Sequence, residues 1–66
     1  MRIFVQDHGV PREQSIRKAL AILLKAGIYS GGGGMVGDRP AIIVNAESVR
    51  NAVKALNKAG MRTVIE

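Results

Sequence analysis

The sequence predicts an α+β domain of element order β-α-β-β-α-β, with a four-stranded antiparallel sheet carrying two helices on one face. Three observations predict it: two amphipathic stretches that each end in Lys-Ala-Gly, short β-branched runs before and after each, and an internal repeat. Ser15-Ile16-Arg17 matches Ser48-Val49-Arg50 at an offset of 33 in a chain of 66 residues. The match continues through Ala19/Ala52, Leu20/Val53, Leu23/Leu56 and Lys25-Ala26-Gly27/Lys58-Ala59-Gly60. Two interlocking β-α-β halves make the split β-α-β topology. Right-handed crossovers then place both helices on the same side of the sheet.

Taken in order, Arg2-Ile3-Phe4-Val5-Gln6 reads as the first strand, closed by Asp7-His8-Gly9. Pro11 suits the first position of a helix, where its missing N–H costs nothing. Ile16, Ala19, Leu20, Leu23 and Leu24 then share one face, with Gln14, Lys18, Ala21 and Lys25 opposite. Gly27 suits the left-handed residue that ends a helix. Ile28-Tyr29-Ser30 reads as a short strand, Gly31 to Gly34 as a turn or flexible hairpin tip, and Ala41-Ile42-Ile43-Val44 as the clearest strand of the chain. Asn45 is a favourable N-cap for a second helix that buries Val49, Ala52, Val53 and Leu56 and ends at Gly60. Met61 to Ile65 is the last strand. This is the ferredoxin-like arrangement, expected as a single domain over residues 1–66.

Composition narrows the function classes. A chain this short buries only about 60% of the surface its unfolded form exposes, so packing or oligomerisation must supply stability. The absence of cysteine excludes disulfides and thiolate metal sites, and a single histidine, His8, argues against a metal centre. No cofactor-binding motif is present. The longest apolar run, Ala19 to Leu24, falls far short of the ~20 residues that cross a bilayer, and nothing reads as a secretory signal. These features predict a cytoplasmic protein with no membrane partner. No catalytic constellation appears: Ser15, Ser30 and Ser48 have one possible histidine base among them, there is no cysteine nucleophile, and the five carboxylates show no paired spacing. A binding module is expected rather than an enzyme.

Two surfaces are candidates for binding. The strands align at an offset of 39 but the helices at 33, so the first half carries six extra residues between strand and helix. That excess, containing Asp7, His8, Gly9, Val10 and Arg12, offers an acid, a titratable ring, a glycine and a guanidinium ahead of a helix N-terminus, where anions are favoured. The second surface follows from a net charge of +5. Arg17, Lys18 and Lys25 on the first helix, and Arg50, Lys54 and Lys58 on the second, form basic lines suited to nucleic acid or another polyanion. Aromatic content is low, which disfavours base stacking. The Gly31–Gly34 run lacks the Gly-Lys-Ser/Thr entry of a phosphate loop. If Ile3 and Val5 face the helices, Arg2, Phe4 and Gln6 face away, and the exposed sheet face or a sheet edge is expected to be buried in a homodimer.

The stretch Ala41-Ile42-Ile43-Val44-Asn45-Ala46-Glu47-Ser48, running on to Ala55-Leu56-Asn57-Lys58-Ala59-Gly60-Met61, resembles the ACT domain, a small regulatory module of amino-acid metabolism. Ala19-Leu20, Leu23 and Ala26-Gly27-Ile28 fit the same cadence in the first half. The resemblance implies a dimer that binds an amino acid or related small carboxylate near the first strand–helix loop. The Pro-Gly pair that often leads into the first helix of that family falls on Glu13 and Gln14. Val5-Gln6 with Gly9-Val10 and Arg12 looks like the anion cradle of acylphosphatases. The cradle's phenylalanine and the strand-2 asparagine of that enzyme family are missing here.

Overall fold

Along the first strand Ile3 and Val5 alternate with Arg2, Phe4 and Gln6, and that period of two decides which side of the sheet is buried. The computed structural model describes residues 1–7 and 9–65. It contains β1 (Arg2–Gln6), α1 (Arg12–Lys25), β2 (Ser30–Val36), β3 (Arg39–Val44), a 3-10 turn (Ala46–Ser48), α2 (Val49–Lys58) and β4 (Arg62–Ile65). The strands form one antiparallel sheet in the order β2-β3-β1-β4, the ferredoxin-like arrangement. Ile3 lies opposite Ile42 on one side and Ile65 on the other. Ile3, Val5, Ile42 and Val44 meet Ala19 and Leu23 of α1 and Val49, Ala52 and Leu56 of α2 in a single core. The other face carries Arg2, Phe4, Gln6, Arg39, Ala41, Ile43, Arg62 and Val64.

The two halves close their helices in the same way, as the repeat requires. Gly27 and Gly60 adopt φ of +78° and +91°. Ile28 N–H donates to the Leu23 carbonyl at 2.8 Å and Gly27 N–H to that of Leu24 at 3.1 Å. Met61 and Gly60 repeat the pattern onto Leu56 and Asn57, both at 3.0 Å. Each is a Schellman cap, with an apolar residue beyond the glycine packed toward the last helical turn.

Several boundaries differ from the sequence reading. Pro11 is the N-cap rather than the first helical residue. Asn45 caps through its carbonyl, which accepts from Ser48 N–H at 2.9 Å, and a 3-10 turn precedes α2. Leu24, expected inside, is 80% exposed, whereas Ser15 is only 1% exposed. The buried face centres on Ser15, Ala19 and Leu23, and the row Ile16-Leu20-Leu24 lies about 100° further round the helix, at the margin of that face. The Ser15 hydroxyl is satisfied by the Pro11 carbonyl at 3.5 Å.

The largest correction concerns the glycine run. Ile28 and Tyr29 lie outside the strand, and Gly31 to Gly34 form its body, paired with β3. The hairpin turn is Gly37-Asp38, with Gly37 at φ +64°, and Arg39 and Pro40 already belong to β3. Glycine at the first of two loop residues matches the turn that suits a right-twisted hairpin. A bulge between Ser30 and Gly32 is stabilised by the Ser30 hydroxyl, which donates to the Ile43 carbonyl at 2.9 Å.

The reason for glycine is clearest at residue 33. A Cβ there would stand 2.8 Å from Ile16 Cγ2 and 2.9 Å from the Ala41 carbonyl oxygen, whereas one at Gly34 meets nothing within 4 Å. Helix α1 therefore lies directly on the backbone of β2. Gly33→Ala should lower stability by about 1–3 kcal/mol through overpacking. Gly34→Ala should be neutral or stabilising by less than about 1 kcal/mol. Urea denaturation of the two variants checks the contrast.

Candidate functional site

Five residues, 7–11, separate β1 from α1, whereas Asn45 alone separates β3 from the 3-10 turn. Helix α1, at 14 residues, is also longer than α2 at 10, so the excess of the first half is divided between this loop and the first turn of α1, and the polar side chains of the region diverge. Asp7 turns back to α1 and pairs with Lys18. Arg12 points the other way and meets Asp38 of the hairpin turn at 3.4 Å, with the two side chains 61% and 78% exposed. Gly9 takes φ +78°, and Val10 is half-buried with its N–H 3.4 Å from the Asp7 carbonyl. His8 lies outside the described residues. The expected ligand loop therefore contributes one residue, Arg12, to a concave site, and Asp7 to a separate ion pair.

That site lies where the open sheet face meets the hairpin turn. Phe4, Gln6, Arg12, Asp38, Arg39, Pro40, Arg62 and Val64 line a pocket of about 270 Å³. Register brings them together: Gln6 lies opposite Arg62, Phe4 opposite Val64 and Ala41, and Arg39 closes the β2–β3 hairpin opposite Val36. The Arg39 guanidinium stands over the Phe4 ring, 3.9 Å from its centroid, a cation–π contact. Arg62 forms no ion pair among the described residues. Three guanidinium groups and one carboxylate give the pocket a net charge of +2, an arrangement suited to an anion.

Arg39, Asp38 and Arg62 were not singled out in the sequence, although a signal was present. Once Phe4 and Gln6 are placed on the open face, pairing with β4 puts Arg62 and Val64 beside them. Pairing with β3 was hidden by the misplaced turn. The basic lines on the helices are both exposed, but Lys18 is engaged by Asp7, so the line on α1 is weaker than that of Arg50, Lys54 and Lys58 on α2. Among the described residues, no group of acidic, histidine or cysteine side chains could hold a metal ion. No helix is long and apolar enough to cross a membrane.

Compared with protein-family models, curated proteins and solved structures, the chain matches none. The assignment of the site therefore rests on its geometry.

The Asp7–Lys18 pair anchors the loop and leaves Arg12 to the pocket. Asp7→Ala should cost about 1 kcal/mol at low ionic strength and less at high salt, because Lys18 is partly solvated. Denaturation midpoints at two salt concentrations test this.

Proposed function

We propose that this chain is a small regulatory module without catalytic activity that binds an anionic ligand in the pocket formed by Arg12, Arg39 and Arg62. The observation that carries this reading is the convergence of three guanidinium groups from α1, β3 and β4 on one pocket beside Phe4. Arginine matches carboxylate and phosphate oxygens two at a time, which gives orientation as well as affinity. The ACT resemblance supports the same class of role, with an amino acid or small carboxylate as ligand. Here the ligand lies at the far end of the first strand–helix loop, on the sheet face.

In a thermal-unfolding screen of amino acids, small carboxylates and inorganic phosphate, at least one anion should raise the melting temperature. Arg62→Gln should remove the shift. The Lys54→Glu, Lys58→Glu double variant should keep it, because those lysines lie on α2. Loss in the lysine variant with retention in Arg62→Gln would move the site to the helix face and favour polyanion binding there. No shift with any anion at millimolar concentration would defeat the pocket reading.

The module is also proposed to act as a homodimer through the free edge of β2. That strand has no charged side chain in a chain of net charge +5, so two copies can meet there without like-charge repulsion. Tyr29, Met35 and Val36, on or just before this strand, are exposed. Leu24 continues the row from Ile16, which lies over Gly33. The arginines of the open face disfavour a face-to-face pairing. Pro40 has no N–H to exchange with Met35, so the Met35 backbone groups are directed to the free edge. Light scattering should give twice the 7.0 kDa chain mass, and Met35→Lys with Leu24→Lys should give a folded monomer. A wild-type monomer at high concentration would rule out this assembly.

A further inference from the structure

The strands of this protein carry cations of one type only, whereas the helices carry both. All four lysines (Lys18, Lys25, Lys54 and Lys58) lie on the helices, whereas every cation on a strand is an arginine: Arg2, Arg39 and Arg62. A surface selected only for solubility has no reason to exclude lysine from the sheet. Arginine differs from lysine in being planar, able to stack and able to grip two oxygens of one anion. The sheet face uses the planar property directly, since one side of the Arg39 guanidinium rests on Phe4 at 3.9 Å. Arg39 itself remains exposed despite this contact.

A guanidinium plane held in this way is a stacking platform for a flat ring. Beside it, Arg12 and Arg62 carry the charge for a dianion, and Asp38 holds Arg12 only through a solvent-exposed contact of 3.4 Å. Such a pair is worth little, and a phosphate can displace it. The Gln6 amide, lining the same pocket, offers both a donor and an acceptor for a ring edge.

We infer that the ligand of this pocket is a nucleoside phosphate, its base stacked on the outer plane of Arg39 and its phosphate held by Arg12 and Arg62. This rests on the anion-binding reading above and specifies its ligand class. The free nucleotide and a nucleotide within a single strand share this chemistry, so both belong in the test.

Calorimetric titration of the full chain should use a nucleoside monophosphate, the nucleoside, inorganic phosphate and a short single-stranded oligonucleotide. The monophosphate is expected to bind about ten-fold tighter than inorganic phosphate. Arg39→Lys, which keeps the charge but removes the plane, should weaken the monophosphate about ten-fold more than inorganic phosphate, so that the increment between them disappears. Phe4→Leu, which removes the support beneath the plane, should do the same, with thermal unfolding confirming that both variants fold. Arg62→Gln should weaken monophosphate and inorganic phosphate alike. Tighter binding of the oligonucleotide than of the monophosphate would identify a strand as the source; equal binding would identify the free nucleotide. A monophosphate that binds no tighter than inorganic phosphate would overturn the inference while leaving an anion site in place. Binding of neither would overturn both.

Discussion

Helix α1 rests on β2 through the Ile16 side chain, which packs on the bare backbone of Gly33, and much of the molecule depends on that contact. Ile16 fills the space that a Cβ would take, which sets the height of the helix above the sheet edge. One turn earlier on the same helix, Arg12 then reaches the β2–β3 turn and faces Asp38. Two turns later, Leu24 is carried out beyond the core. The depth of the groove, the direction of the first arginine and the exposed apolar row along the helix all follow from one missing methyl group.

The architecture was readable because its signals were redundant. Alternation in β1 and β3, the two Lys-Ala-Gly helix ends and the internal repeat each pointed to the same order of elements. The repeat even fixed the caps, since Gly27 and Gly60 make equivalent hydrogen bonds. What failed was β2. A strand is recognised by its side chains, and four consecutive glycines have none, so local propensity argued for a turn. The pairing partner that overrides propensity, β3, lies after the turn, and the glycine that accommodates Ile16 can be recognised only once helix and strand are docked. Misplacing that turn concealed Arg39 in turn, because a residue assigned to a loop has no register. The loop from Asp7 to Arg12 was identified by its length, but length alone carries no direction. Asp7 and Arg12 are five residues apart and serve opposite sides of the helix.

Charge is arranged with similar economy. The sheet face carries one arginine on each of β1, β3 and β4, interleaved with Phe4, Ile43 and Val64, whereas the helices carry all the lysines on their solvent side. The β2 edge carries no charge. Three surfaces of one small domain therefore differ in what they repel: the first two disfavour another copy of the chain, and the third does not.

The glycine run has a further consequence, for the order in which the domain assembles. Glycine surrenders more backbone freedom than any other residue when it is fixed, and β2 fixes four in succession while burying almost no side-chain surface of its own. Its docking relies on the ladder with β3 and on the roof supplied by α1, both of which must already exist. The β1-β3-β4 core with its two helices is therefore the cooperative unit, and β2 is the last element to join and the first to open. Amide exchange in this protein would then be graded across the sheet, slowest at Ile3 and Ile42 and fastest along the strand from which side chains are nearly absent.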